Sequence, residues 1–200
     1  MIAIVDYGAG NIRSVEKAFR FISEETTVTS DEKTILSAEK VVLPGVGAFG
    51  DAMQKLNESG LTGTIKKVVG KGTPFFGICL GLQLLFEGSD EAPGVPGLGL
   101  IKGYIHRFPD TPGFKIPEIG WNSLKITPGT KLFKGIEDGA FVYFVHSYYL
   151  NTPEPVVAAK CNYILDFHAA VEKDNIFACQ FHPEKSGAVG LEILKNFAAV

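Results

Sequence analysis

The chain has 200 residues, which lets it remove roughly 70% of its extended surface from water and build a core without disulfide or metal cross-links. Hydrophobic residues make up 46% of it and charged residues 20%, a composition that excludes an intrinsically disordered chain. The net charge of -3, from 19 basic and 22 acidic side chains, argues against a nucleic-acid-binding protein.

The first ten residues and the cysteines suggest a compartment. Residues 1–10 lack the basic segment and cleavage site of a signal peptide, and no uncharged stretch reaches the roughly 18 residues that a membrane span needs. The 3 cysteines fit free thiols better than a disulfide framework. We therefore expect a cytoplasmic protein.

The first half of the chain alternates short apolar strands with helices. The predicted strands are residues 1–7, 40–43 and 75–78, and the predicted helices are residues 12–22, 51–57, 61–69 and 80–87. Asn11 and Asp51 stand where helix caps are expected. Strands that are apolar on both faces and alternate with helices predict a parallel sheet covered on both sides.

The second half begins after the loop at residues 89–99 and consists mainly of short alternating runs. Predicted strands lie at 104–108, 121–126, 141–146, 156–160, 167–172 and 176–181, and a helix at 188–197 closes the chain. The predicted fold class is α/β. It is a three-layer sandwich with a mostly parallel central sheet and antiparallel strands in the C-terminal half. We expect residues 1–200 to form a single domain.

One cysteine has the sequence context of a nucleophile. Cys79 follows a predicted strand and precedes a helix, and Gly77 and Gly81 stand two residues before and after it. Such a nucleophile elbow needs small residues there and exposes the side chain at its apex. The positive end of the helix dipole favours a thiolate at Cys79. The Leu80 amide can donate to an oxyanion, and Gln83 lies one helical turn after Cys79 on the same face. The alternative is a buried structural cysteine.

A candidate base stands near the end of the chain. His182, Pro183 and Glu184 follow a predicted strand, and Pro183 disfavours helix at His182. In an extended segment residues i and i+2 point to the same side, which places the Glu184 carboxylate beside the imidazole. A carboxylate there fixes the tautomer and stabilises the imidazolium, as in a catalytic triad. Cys79 is distant in sequence, but catalytic partners need only be close in space.

Two other patterns have simpler explanations. Residues 45–50 match GxGxxG, but the next strand does not end in the acidic residue that a dinucleotide site requires. We interpret these glycines as a flexible loop that supplies a second oxyanion donor to Cys79. Cys179 and His182 have the spacing of a metal pair without further clustered ligands, so we predict neither a metal nor a cofactor.

Longer segments resemble a known family. The segments PGVGAFGDAM, GICLGLQLLFEGS, EAPGVPGLGLI, GWNSL, YFVHSYY and QFHPEKSG are similar to those of the class I (triad) glutamine amidotransferases. The combination of GICLG with HPE is characteristic of that class. GWN, YFVHSY and FHPEKS together resemble one subfamily, the glutaminase subunits of imidazole glycerol phosphate synthase.

The resemblance implies a role for each site residue. Cys79 attacks the side-chain amide of glutamine, His182 transfers protons, and Glu184 orients His182. The residues implied for the oxyanion hole are Gly45, Val46, Gly47 and Leu80. Those implied for holding glutamine are Gln83, Glu91, Ser147 and Tyr148, with the Glu91 carboxylate suited to the α-ammonium group.

The resemblance also implies a partner. The implied glutaminase residues occupy positions 44–184, which leaves no second domain to bind an acceptor of ammonia. Free ammonia is mostly protonated at neutral pH, so we expect it to pass through a dry channel to a synthase subunit. The implied partner is a (β/α)8-barrel cyclase in a heterodimer that makes imidazole glycerol phosphate and AICAR in histidine biosynthesis. The implied interface residues are Trp121, Asn122, Tyr143 and Lys185.

The sequence departs from the subfamily pattern at two places, and alternatives stay open. Leu82 replaces a common methionine, and Glu118-Ile119 replaces the usual His-Met or Gln-Met pair. The alternatives are a glutaminase subunit of another synthase, of the anthranilate or aminobenzoate type, a binding module without turnover, and a cysteine hydrolase of esters or peptides. Gln83 and the YFVHSY segment favour glutamine over the last of these.

Overall fold

The computed structural model describes residues 1–8 and 10–200. Its helices are α1 (Ile12–Phe21), α2 (Glu32–Ser37), α3 (Phe49–Glu58), α4 (Leu61–Gly70), α5 (Leu80–Gln83) and α6 (Gly187–Ala198), with a 3₁₀ turn at Pro183–Lys185. Its strands are β1 (Ile2–Val5), β2 (Thr26–Thr29), β3 (Lys40–Leu43), β4 (Phe75–Ile78), β5 (Gly88–Ser89), β6 (Tyr104–Arg107), β7 (Glu118–Ser123), β8 (Lys125–Ile126), β9 (Phe141–His146), β10 (Tyr148–Asn151), β11 (Val157–Tyr163), β12 (Leu165–Lys173) and β13 (Ile176–Cys179).

A parallel part and an antiparallel part meet in one large sheet. Its order is β2-β1-β3-β4-β13-β12-β10-β6-β5, and β11 pairs with both β12 and β8. Strands β2 to β13 in that order are parallel, whereas β13, β12, β10 and β6 pair in antiparallel fashion. The last strand of the chain therefore lies in the middle of the sheet. Strands β7 and β9 form a separate antiparallel ribbon.

Two apolar cores cover the two faces of the sheet. In β1, Ile2 and Ile4 pack in the core that contains α1 and α6, whereas Ala3 and Val5 pack in the core that contains α2, α3 and α4. All four residues of β1 are buried, which explains the unbroken apolar run in the sequence. Helices on both faces make the three layers of the predicted α/β sandwich, and that prediction is confirmed.

The predicted helix over residues 80–87 is wrong in its length. Helix α5 ends at Gln83, because the carbonyl groups of residues 84–87 accept N–H bonds from the returning segment 97–101. A Cβ on Gly97 would overlap the Phe86 carbonyl oxygen, so only glycine permits this close approach. The chain after α5 is thus held against a neighbouring loop rather than continuing as helix.

Other local predictions fail where side chains take a different partner. Asn11 precedes α1 without a side-chain cap bond, and α3 begins at Phe49, upstream of the predicted cap Asp51. Strand β2 and helix α2 lie in residues 26–37, a polar stretch whose edge strand is only half-buried and shows no clear apolar period.

In the described parts of the chain no helix is long and apolar enough to cross a bilayer.

Candidate active site

Cys79 stands at the apex of the turn between β4 and α5. Its φ of 55° and ψ of -108° are a strained conformation for a residue other than glycine, at a cost of roughly 1–3 kcal/mol. The flanking glycines make this turn possible. A Cβ on Gly77 would lie 2.7 Å from the Gly81 carbonyl oxygen, and a Cβ on Gly81 would overlap the carbonyl oxygen of Leu43. The turn is the nucleophile elbow that the sequence predicted.

Parallel pairing of β4 and β13 brings the distant parts of the site together. Ile78 is in register with Cys179, and the Cys79 N–H donates to the Cys179 carbonyl over 2.8 Å. The carboxyl ends of parallel strands meet at one edge of a sheet, so the residues that follow β4 and β13 share that edge. His182, which follows β13, therefore lies beside Cys79.

The His182 imidazole and the Glu184 carboxylate form a buried pair. Nδ1 of His182 is 2.8 Å from Oε1 of Glu184. The predicted reason for this contact is wrong, since the segment is a 3₁₀ turn rather than extended chain. Asn11, whose role the sequence analysis missed, donates its amide to the same carboxylate oxygen. The other oxygen, Oε2, has no hydrogen-bond partner among residues 1–8 and 10–200.

The His182 side chain is hydrogen-bonded to both Cys79 and Glu184. Burial alone lowers the pKa of His182, but the hydrogen bonds and negative charges of Cys79 and Glu184 outweigh burial and raise the pKa from 6.5 to about 10. The imidazole is therefore protonated at neutral pH. Burial, together with the nearby Cys79 charge, raises the pKa of Tyr7 as well. A protonated imidazole against the Cys79 sulfur places a proton donor beside the candidate nucleophile before any substrate arrives.

Hydrogen bonds to strand β9 hold the loop that carries His182 in place. The His182 N–H donates to the Tyr143 carbonyl over 2.9 Å, and the Ser186 hydroxyl donates to the His182 carbonyl over 2.6 Å. The same hydroxyl accepts the Tyr143 N–H over 3.0 Å. Tyr143 is one of the predicted interface residues, so that strand is joined through its main chain to the triad histidine.

The residues predicted to bind glutamine surround one cavity of about 290 Å³ beside Cys79 and His182. Its wall includes Gln83, Glu91, Ser147 and Tyr148, and also Val46, Gly47, Leu80 and Lys185. The Glu91 carboxylate accepts the first N–H of α3, that of Phe49, over 2.8 Å. Burial, and next the charge of Glu91, raises the pKa of Tyr148.

One predicted oxyanion donor is already occupied. The Leu80 N–H donates to the Gly45 carbonyl over 3.3 Å instead of facing the cavity. Gly45 itself packs so closely against Tyr7 that a Cβ there would overlap the phenol oxygen. Gly47 has φ 111°, which leaves this loop a conformational freedom that only glycine has.

The four residues predicted at the partner interface differ in their surroundings. Trp121 is 55% exposed and packs edge-to-face on Tyr143, with ring centroids 6.0 Å apart. Lys185 is exposed at the rim of the cavity. The Asn122 amide instead donates within the chain, to Glu118 and to the Asn162 carbonyl, each over 2.9 Å.

Sequence reasoning also missed a buried pair behind the cavity. His146 Nε2 is 2.9 Å from Glu118 Oε2, and Nδ1 is 2.8 Å from the Tyr148 carbonyl. The sequence signal for this pair was Glu118, which differs from the subfamily pattern. A carboxylate that becomes buried needs a cationic or hydrogen-bond-donating partner. The pair holds the main chain of Tyr148 at the cavity wall.

Comparisons with known proteins agree with this geometry. The family model described as "Glutamine amidotransferase class-I" matches residues 3–200. The imidazole glycerol phosphate synthase subunit HisH of Methanothermobacter thermautotrophicus is 52% identical over 200 residues, covering 100% of this chain and 98% of the relative. The subunit of the same name from Listeria innocua is 48% identical, covering 100% of this chain and 96% of the relative.

Solved structures support the fold alone. A crystal structure of a glutamine amidotransferase superposes with a TM-score of 0.77 at 20% identity, covering 99% of this chain and 100% of the other. The PurLQS structure from Thermotoga maritima gives 0.77 at 22% identity, covering 99% and 97%. With the family model matching nearly the whole chain, the chain belongs to the class I glutamine amidotransferases.

Proposed function

We propose that the chain is the glutaminase subunit of an imidazole glycerol phosphate synthase, folded as a single glutaminase domain. The observation that carries the proposal is that His182 contacts both Cys79 and Glu184, beside a cavity of about 290 Å³. The similarity to HisH subunits over their whole length supports the identity of the synthase. The 3 cysteines are free, in keeping with the cytoplasm as its compartment.

The geometry supports a two-step hydrolysis. The Cys79 sulfur attacks the side-chain amide carbon of glutamine, and the imidazolium of His182 gives its proton to the departing ammonia. Water gives a proton to the now neutral imidazole as its oxygen attacks the thioester carbon. The C–S bond then breaks, glutamate leaves, and the sulfur and the protonated His182 are restored. Glu184 keeps the ring oriented and stabilises its charge throughout. Each proton in the cycle passes through the His182 imidazole.

The occupied Leu80 amide supports control of turnover by the partner. An oxyanion hole works when its donors already point at the place where negative charge develops. Here the Gly45 carbonyl must first leave the Leu80 N–H, after which amides of Gly45, Val46 or Gly47 join it as donors. A glutaminase that remains slow until the loop moves does not release ammonia before an acceptor is present.

The ribbon β7–β9 supports docking of a cyclase subunit. Its outer face exposes Ile119 at 63%, Trp121 at 55% and Phe141 at 57%. An apolar patch of this kind beside a catalytic cavity is typical of a protein interface. Lys185 adds a positive charge at the rim. We propose a (β/α)8-barrel cyclase as the partner, with ammonia passing from the cavity into it.

Mixing the chain with the cyclase subunit of the same organism tests this function. We expect wild type to support synthesis of imidazole glycerol phosphate from glutamine and from added ammonia. Cys79→Ala should support it from ammonia only, because the nucleophile is lost and the acceptor site is not. Cys161→Ala, which removes a buried thiol that does not line the cavity, serves as the matched control and should behave as wild type.

Three outcomes would contradict the proposal. If Cys79→Ala lost ammonia-dependent synthesis as completely as glutamine-dependent synthesis, the two sites would not be separable. If glutamate release rose with an anthranilate or aminobenzoate synthase subunit and not with the cyclase, the chain would serve that synthase instead. A chain without glutaminase activity in either mixture would be a binding module on this fold.

A further inference from the structure

Gln180 is a fully buried polar residue directly after β13, with an exposed fraction of 0%. Its main-chain N–H donates to the Ala169 carbonyl over 2.8 Å, which fixes the backbone. Both ends of its side-chain amide are engaged. Oε1 accepts from Gln83 Nε2 over 3.0 Å, and Nε2 lies 3.7 Å from the Cys79 sulfur, within hydrogen-bond distance for that atom. The side chain thus joins the nucleophile to a residue of the cavity wall.

The observed hydrogen bonds point the NH₂ end of this amide at Cys79. A thiolate accepts hydrogen bonds and donates none, so the group facing it must be the NH₂ end of Gln180. In the opposite orientation the Gln180 oxygen would face the negatively charged sulfur of Cys79. With Gln83 oriented as observed, the Gln180 nitrogen would then face a second donor and this hydrogen bond would be lost. The link to Gln83 therefore aims the N–H of Gln180 at the sulfur.

We propose that Gln180 is a further catalytic residue, whose amide holds the Cys79 sulfur as a thiolate and whose carbonyl ties that contact to Gln83. As a role in glutamine hydrolysis, this rests on the proposed function. The hydrogen bond is made to the anionic sulfur, which loses its charge when it bonds to the amide carbon. Gln180 thus raises the fraction of reactive thiolate at neutral pH. It also holds the sulfur at a fixed position relative to Gln83 in the cavity wall.

Alkylation of Cys79 by iodoacetamide tests the contact without requiring glutamine turnover. The rate is measured across pH and assigned to Cys79 by peptide mass spectrometry. Gln180→Met keeps the length of the side chain and removes the donor. We expect the midpoint of its rate profile to move upward by about one pH unit, corresponding to a tenfold loss of thiolate. Gln54→Met is the matched control at an exposed position of α3 and should leave the profile unchanged.

A second variant covers the case in which Gln180→Met fails to fold. Gln180→Glu preserves volume and the acceptor for Gln83, but it places an oxygen against the sulfur, so we expect a larger upward shift. A profile that coincides with wild type in a folded variant of either kind would overturn the proposal. In the glutaminase assay, the loss at neutral pH should be recovered at higher pH, whereas a purely structural defect would not respond to pH.

The two proposals fail in distinguishable ways. A wild-type chain that released no glutamate with any partner would overturn the proposed function, yet its alkylation profile would still report on the contact between Gln180 and Cys79. A normal glutaminase whose Gln180→Met profile was unshifted would overturn the role of Gln180 alone.

Discussion

Removing the Cys79 sulfur should lower the pKa of His182 by a measurable amount. The rise from 6.5 to about 10 corresponds to about 5 kcal/mol in favour of the imidazolium, at about 1.4 kcal/mol for each pKa unit. Cys79 and Glu184 produce this rise together against the effect of burial. An opposite charge in contact is worth roughly 1–3 pKa units. In Cys79→Ala we therefore expect the pKa of His182 to fall to about 8, with Glu184 still in place.

The assay is an NMR titration of the imidazole carbons. The chain has 4 histidines, and the resonances of His182 are assigned by their loss in His182→Asn. Cys161→Ala is the control, because its thiol is buried away from the imidazole, and it should titrate as wild type. The reasoning is refuted if the ring titrates near 6.5 in wild type, or if Cys79→Ala leaves the titration unchanged. The first result would mean that the imidazole is neutral in the resting protein, and the second that Glu184 alone raises its pKa.

Three further predictions follow from contacts around the site. Glu184→Gln should reduce glutamate release much less than His182→Ala, because the imidazole carries the protons and general acid–base help is worth about 10²–10⁴-fold; equal losses would give Glu184 a role beyond orientation. Gly81→Ala should lower the free energy of unfolding by about 3 kcal/mol or more in chemical denaturation, because its Cβ would overlap the Leu43 carbonyl oxygen. The control Gly63→Ala, whose Cβ would enter open space on α4, should not lower it. Glu118→Leu should cost about 3–5 kcal/mol, because Nε2 of the buried His146 loses its partner, and Glu118→Gln should cost much less, because its amide can keep a hydrogen bond to Nε2; equal unfolding midpoints for the two variants would contradict this.

The motifs around the site could be interpreted from the sequence because their spacing is local. Gly77, Cys79 and Gly81 define a turn within five residues, and the glycines have a steric purpose that the sequence alone reveals. The pairing of His182 with Glu184 was also predicted, although through the wrong backbone conformation. Such short-range patterns carry their own geometry, so they needed no knowledge of strand order.

Contacts made across the sheet could not be predicted. Asn11 was expected to cap α1, and only the structure shows its amide on the Glu184 carboxylate. Gln180 reads as one polar residue in an apolar strand until β4 and β13 are known to be neighbours. The position of the Gly45 carbonyl on the Leu80 amide depends on a single peptide orientation, which no residue pattern specifies.

The central place of β13 has a consequence for synthesis on the ribosome. Until residues 176–179 have emerged, β4 and β12 each present an unpaired edge, the kind of surface through which nascent chains aggregate. The arrival of β13 joins the two parts of the sheet and, three residues later, delivers His182 to Cys79. An unfinished chain therefore carries the nucleophile without its base. Pairing of β13 with its neighbours completes the sheet and also brings the base to the thiol.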